Sequence, residues 1–255
     1  MKRLVIVVLA SILSMTVFAE GYQVNLLSTK QTGMGHVGTG MKLGAESMHF
    51  NPAGLVFLRT NMDFSLGISA IMAKAKYSYD GYSAKTDNPV GTPLYAYAGF
   101  KIYDNLAAGI SLTTPYGNSL KWPKNWAGAG LIQDISLKSY VIQPTLSYKI
   151  TDRLSIGVGL QLAWGNVNLS RALMGASDLQ GIGTKFESLL PLLAGVPSNI
   201  IPDADKQAMQ EMVALMKGTE VPPAYARLEG NAHMRVGFNV GIMYDICDKV
   251  TVGLS

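Results

Sequence analysis

The stretch LKSYVIQPTLSYKITDRLSIGVGLQLAWGNVN, residues 137–168, decides the fold. Up to Ile150 the apolar Tyr140, Ile142, Leu146, Tyr148 and Ile150 hold even positions, with polar Gln143, Thr145, Ser147 and Lys149 between them. After Thr151-Asp152-Arg153 the same parity returns, with Leu154, Ile156, Val158, Leu160, Leu162 and Trp164 set against Ser155, Gly157, Gly159, Gln161 and Ala163. A period of two is that of a strand, and a short polar turn between two such runs makes an antiparallel hairpin. Each run has about ten alternating residues, enough to cross a bilayer at a tilt. A face of Gly, Ser, Thr, Gln and Lys is a poor core, but it suits the wet or plugged inside of a barrel whose other face meets lipid. The expected class is all-β, a transmembrane antiparallel β-barrel.

Composition narrows the alternatives. The 255 residues are 48% hydrophobic and 15% charged, so a large apolar surface is available. Beyond the first twenty residues no run reaches the roughly 18 apolar residues of a helical membrane span. A net charge of +4, with Lys and Arg scattered singly, gives no footprint for nucleic acid. Cys247 is the single cysteine and has no internal disulfide partner. His36, His49 and His233 show no spacing of nucleophile, base and acid, so neither an enzyme nor a metal or cofactor is expected.

Residues 1–19 begin with Lys2 and Arg3, continue through an apolar, acid-free stretch and end in Val17-Phe18-Ala19. This is the form of a secretory signal peptide cleaved after Ala19; the alternative is a short membrane anchor. Export together with amphipathic strands places the mature chain in a Gram-negative outer membrane. Residues 20–58 are rich in glycine and include Gly33, Gly35, Gly38, Gly40 and Gly44, followed by Asn51-Pro52-Ala53-Gly54. Their apolar content, including Tyr22, Leu27, Met48 and Leu55, favours a compact plug over a solvated linker. The barrel then occupies residues 59–255.

The mature start Gly21-Tyr22-Gln23, the glycine-rich stretch, the Asn51-Pro52-Ala53 triplet and the segment Ser111-Leu112-Thr113-Thr114-Pro115-Tyr116-Gly117 together resemble the FadL/OmpP1 family. These are outer-membrane transporters of long-chain fatty acids and other hydrophobic compounds. The resemblance implies a barrel of about fourteen strands closed by an N-terminal hatch that carries the Asn-Pro-Ala triplet. It also implies an inward kink of the third strand beside the hatch, which opens a lateral gap. A seventh strand begins at Lys249 and the sequence stops at Ser255 within its alternation, so the chain is expected to be the N-terminal portion of such a barrel.

Further candidates lie along the chain. Met62 to Met72 reads as the first strand, Leu94 to Tyr103 as the second, and Leu106 to Leu112 as the third. A polar loop from Ser78 to Pro93 separates the first two strands. Pro115 tops the third strand and marks either a kink or a simple termination. Trp122 and Trp126 in the next loop suit a membrane-interface anchor or a ligand contact. A long outer loop, residues 170–228, interrupts the strands; in it Asp203 is placed to cap a helix that ends before Gly218. Met209, Met212, Val213 and Met216 share one face of that helix, and Phe186 and Leu189 belong to an apolar element upstream. Packing explains such a stripe; so does adaptable docking of an apolar ligand, and the resemblance implies a first docking groove in these helices. By parity Arg235 and His233 face the lumen near its outer end, where Arg235 can pair with a ligand carboxylate or with an acid such as Asp63.

The expected function is uptake of a long-chain fatty acid or other hydrophobic small molecule, by passive, ligand-gated passage with lateral exit. The only other expected partner is outer-membrane lipid, and the protein is expected to be a monomer. A general diffusion porin and a structural or adhesive barrel are the alternatives.

Overall fold

The computed structural model describes residues 22–255, so the signal-peptide reading of residues 1–19 lies outside the described residues. One antiparallel sheet dominates. Its strands are β1 (Met62–Ile68), β4 (Leu94–Tyr103), β5 (Leu106–Thr113), β7 (Asp134–Lys149), β8 (Leu154–Ala172), β9 (Tyr225–Cys247) and β10 (Val250–Leu254), in the order β1-β4-β5-β7-β8-β9-β10. β6 (Gly117–Lys121) continues the line of β5 and also pairs with β7. A separate hairpin, β2 (Lys76–Tyr79) and β3 (Tyr82–Lys85), stands in the first loop. Strand neighbours are sequence neighbours, as in an up-and-down barrel wall. No helix among the described residues is long and apolar enough to cross a membrane.

The wall is inverted relative to a soluble sheet. Phe64, Leu66, Ile110, Leu146, Val158, Val236 and Phe238 are exposed on one face. Ser111, Thr113, Gln143, Thr145, Ser147 and Ser155 are buried on the other. The parity read from residues 137–168 holds through the central hairpin, where Leu146 pairs with Val158 and Ser147 with Gly157. Short connections, at Asp104–Asn105 and Thr151–Arg153, define the turn end of the wall; the long connections define its loop end.

Against the buried polar face lies the segment read as a hatch. It holds α1 (Thr29–Gly33), a 3-10 turn at Gly44–Glu46, α2 (Ser47–Phe50) and a 3-10 helix at Pro52–Phe57. Ala45, Met48, Leu55, Val56 and Leu58 form one apolar cluster with Tyr95, Tyr97 and Ala107 of the wall. Full burial of a side chain such as Leu55 contributes ~2 kcal/mol. Lys42 fixes the segment near the turn end: its Nζ lies 2.6 Å from Asp245 Oδ2 and 4.1 Å from the Phe57 ring centroid.

Several sequence expectations shift. β1 ends at Ile68 rather than at Met72, and the Ser78–Pro93 loop contains much of the β2–β3 hairpin. That hairpin turns at Asp80-Gly81, where φ is 44° and 79°, the pair of positive values a tight hairpin turn requires. It folds over Trp122 and Trp126, whose rings stack with centroids 4.0 Å apart and Tyr77 edge-on. With Ala84, Ala129 and Ala172 they form a small core in the loops, so neither indole is free to anchor at a lipid interface. β8 and β9 extend beyond their expected ends, which shortens the long loop from 170–228 to 173–224. In it lie α3 (Ala176–Glu187), α4 (Leu190–Ala194) and α5 (Asp203–Lys217). Asp203 is the first helical residue of α5 and not its cap, which is Pro202. Its carboxylate accepts from Ser198 Oγ at 2.8 Å and Lys206 Nζ at 3.2 Å, and these partners hold it below the usual carboxylate range.

The seat of the hatch is set by glycine. A Cβ on Gly157 would lie 2.3 Å from Pro52 C and 2.4 Å from Ala53 N, backbone atoms that cannot rotate away. One on Gly159 would meet the flexible end of Gln143 instead. In the full-length polypeptide folded in detergent, Gly157→Ala is expected to lower stability by about 1–3 kcal/mol or more, read from the urea midpoint. Gly159→Ala should cost distinctly less; equal losses would contradict this account of the seat.

Candidate functional site

Asn51-Pro52-Ala53 sits deepest, and each residue type has a reason. Asn51, fully buried, caps the 3-10 helix through Oδ1, which accepts from Ala53 N at 3.0 Å. Its amide nitrogen donates to Thr39 O at 2.8 Å and to Ile242 O at 3.1 Å, so one side chain ties the helix start, the glycine-rich loop and β9 together. Pro52 brings no N–H that would need a partner in this space, and its fixed φ suits the first helical position. Ala53 offers its carbonyl to Ser155 Oγ at 2.9 Å and Ser147 Oγ at 3.2 Å. Gly157 and Gly241, paired across β8 and β9, form the dent that admits the triplet; a Cβ on Gly241 would collide with Asn51 Oδ1. A Cβ on Gly253 of β10 would strike Thr39 O.

The third strand does not terminate at Pro115. β5 stops at Thr113 opposite Val141, and the line resumes at Gly117 opposite Lys138, so Thr114-Pro115-Tyr116 interrupt one strand. Pro115, which cannot donate to the ladder, lies within this interruption. The hatch fills the interruption: Val24 N donates to Pro115 O at 2.8 Å, Gly117 N donates to Tyr22 O at 3.0 Å, and Gln23 bridges Tyr116. A cavity of about 340 Å³ lies beside it, lined by Val24, Pro93, Leu94, Thr114, Gly117 and Tyr140 among others.

Residues 22–34 form an arm that runs from the break at Pro115 to β4. Tyr97 Oη donates to Leu27 O at 2.9 Å, and Tyr95 Oη accepts from Thr29 N at 3.2 Å and lies 2.8 Å from Thr29 Oγ1. Ser28 caps α1 and also donates to the buried carboxylate of Glu46, which takes a second hydroxyl from Ser65 of β1.

The loop residues divide. Val213 of α5 is buried, and Met216 lies in the contact with α3, where Gly183 leaves room for it. Met209, Met212, Phe186 and Leu189 remain substantially exposed, with Leu192 and Leu215 more so. The methionine stripe therefore serves packing at one edge and presents an apolar surface at the other.

Arg235 pairs with Ala163 on the lumen-side parity of β9, below a register shift. It is exposed, and none of the ion pairs found among the described residues includes it. Asp63, its candidate partner, instead accepts from Ala45 N at 3.0 Å within the hatch. His233 falls at the register shift: Ala163 faces Arg235 but Gly165 faces Ala232, so His233 and Met234 together oppose Trp164 and the alternation slips there. The structure thus unites Asn51, Pro52 and Ala53 in one seat, sets Pro115 of the wall against the arm, and keeps the loop residues and Arg235 apart from both.

Sequence reading missed Glu46, Tyr95 and Tyr97, and the glycines at 241 and 253. Gly157, Ser147 and Ser155 carried a signal, since all three hold the polar parity of the hairpin. An acid inside a glycine-rich, apolar segment was the available signal for Glu46.

Residues 10–255 match the family described as outer membrane protein transport protein (OMPP1/FadL/TodX). A Pseudomonas aeruginosa FadL homologue of solved structure is 17% identical, with a TM-score of 0.59; the alignment covers 92% of this chain and 52% of that one. The P. putida toluene transporter TodX is 20% identical over 82% of this chain and 49% of that one, with a TM-score of 0.49. No curated protein matches the sequence. The chain therefore spans about half the length of the solved structures it matches. With a family match over nearly its whole length, and with a wall and hatch of this geometry, the chain belongs to the FadL/OmpP1/TodX family of Gram-negative outer-membrane β-barrel transport proteins, not enzymes.

Proposed function

We propose that the full-length protein admits a hydrophobic small molecule across the outer membrane by ligand-gated passage through a hatched barrel, with a lateral exit at the interrupted third strand. The observation that carries this reading is the arm of the hatch lying in the break at Thr114–Tyr116, beside the cavity of about 340 Å³. The cavity at the strand break presents Val24, Ile71, Val90, Leu94, Leu137 and Tyr140 beside polar groups, and an apolar solute gains ~0.8 kcal/mol for each CH₂ withdrawn from water against them.

In this mechanism the ligand first partitions onto the exposed apolar surface of Phe186, Leu189, Met209 and Met212, with Val213 and Met216 holding the helices beneath it. It then enters the lumen, where Arg235 and, less directly, His233 are the candidate partners of an anionic headgroup; a guanidinium offers a planar two-pronged donor. Passage onward requires the hatch to yield. The triplet is packed against backbone, so it acts as the anchor about which the hatch shifts, while the arm leaves Pro115 and Gly117. No bond is made or broken, and the driving force is transfer of apolar surface.

Two experiments on the full-length protein test this reading. Asn51→Ala removes three hydrogen bonds at the anchor and is expected to reduce uptake of a fluorescent long-chain fatty acid about tenfold or more. Sugar diffusion in the same liposomes should not track that loss; uptake indifferent to the change, with rapid sugar diffusion, would establish a porin. Met212→Ser is expected to weaken binding of the same probe by about three- to tenfold, equivalent to ~1 kcal/mol of apolar contact. Arg235→Ala should weaken the fatty acid but leave an uncharged hydrocarbon of equal length unaffected. Unchanged affinity in both variants would remove these residues from the path.

A further inference from the structure

The hatch is held in two different ways. From Thr39 to Leu58 it is seated by close packing: backbone against glycine, Leu55 and Met48 fully buried, and Lys42 paired at the turn end. The arm, residues 22–34, buries Leu27, Ser28 and Gln31 and is otherwise tied down by hydrogen bonds with Tyr97, Tyr95, Pro115 and Gly117. The two parts meet at a left-handed pair, Gly35 and His36, with φ of 72° and 64°. His36 N donates to Gln31 O at 2.9 Å, so this pair closes the end of α1.

One charged group joins the parts. Glu46 belongs to the seated portion, is 2% exposed, and is the one charged residue among the fully buried described residues. Its Oε2 receives the Ser28 hydroxyl of the arm, its Oε1 receives the Ser65 hydroxyl of β1 at 2.5 Å, and Lys30 Nζ of the arm lies 3.7 Å from Oε1. Ser28 also accepts from Gln31 N at 3.0 Å, so the same hydroxyl that binds the carboxylate caps α1. The arm therefore brings both a donor and a cation to Glu46, and the wall brings one more donor.

We propose that Glu46 is the latch of the hatch: its carboxylate holds the arm closed through Ser28 and Lys30 while Ser65 fixes it to the wall. This rests on the gated-passage reading above and assigns a positioning residue to it. If the arm leaves, a buried carboxylate keeps Ser65 alone, and an incompletely partnered buried charge is strongly disfavoured. That penalty biases the hatch shut until an apolar ligand offsets it or water reaches the carboxylate. An opposing feature keeps the balance shallow. Gln31 of the arm is buried with its Oε1 unpartnered among the described residues, a cost relieved on opening. An amide at position 46 fills the same space without the charge, so its penalty on opening is smaller.

The test uses the full-length protein with Cys247→Ser. Leu27→Cys reports the arm and Val56→Cys the seated portion, since both positions are buried. Glu46→Gln is expected to raise the rate of maleimide labelling at position 27 about tenfold or more without ligand, the scale of one charged hydrogen bond. Labelling at position 56 should be unchanged. Lys30→Gln, which leaves the Ser28–Glu46 bond in place, should raise the rate at position 27 by less, and Ser65→Ala, which removes the partner the carboxylate keeps when the arm leaves, should not raise it. Equal acceleration at both positions would make Glu46 a general stabiliser of the hatch and overturn the latch, as would an unchanged rate at position 27 in Glu46→Gln. Uptake measured in parallel separates the two readings. Faster labelling at position 27 with unaltered uptake and ligand response leaves the latch standing and removes the gating role.

Discussion

An irregular segment inside a membrane-spanning wall must satisfy its own backbone, because no strand ladder runs through it and lipid offers no partners beyond the wall. Much of this structure answers that constraint. Met48 O receives the Gln143 amide, His49 O the Asn239 amide, Ala53 O two serine hydroxyls and Leu27 O the Tyr97 hydroxyl. The lumen side of the wall is polar because it serves as the hydrogen-bond surface of the hatch. Small residues alternate with these donors because the hatch backbone must come close enough to reach them.

This dual demand explains which parts of the sequence were legible. The wall follows from a period of two, and β7 and β8 keep the expected parity because a slip by one residue would turn Leu146 and Val158 inward. The triplet was legible as a unit, since Asn followed by Pro is a strong local signal. Its partners were not: Ile242 O and Thr39 O are backbone atoms, and Gly241 and Gly253 lie far along the chain. Periodicity assigns a residue to a face but says nothing of what occupies the space beyond that face.

The loops show the same limit. Trp122 and Trp126 lie in a loop whose sequence has no clear period, and their burial depends on a hairpin some forty residues earlier in the chain. The methionine stripe lies along one face of α5. That face is wider than its contact with α3, so Val213 and Met216 pack while Met209 and Met212 do not. At His233 the register shift breaks the parity argument, and a single extra residue in β9 is invisible to a rule that counts by twos.

The glycine dent limits which substitutions the seat can accept. A Cβ at position 157 would overlap the Pro52–Ala53 peptide, and one at 241 would overlap the Asn51 amide. Neither stretch can drift alone: a bulkier wall needs a reshaped hatch, and a reshaped hatch needs new partners for Ile242 and Ala53. Positions separated by most of the chain are thus tied to one shape, and a substitution in this seat calls for a compensating one, whereas the exposed surface of the loop helices carries no such constraint.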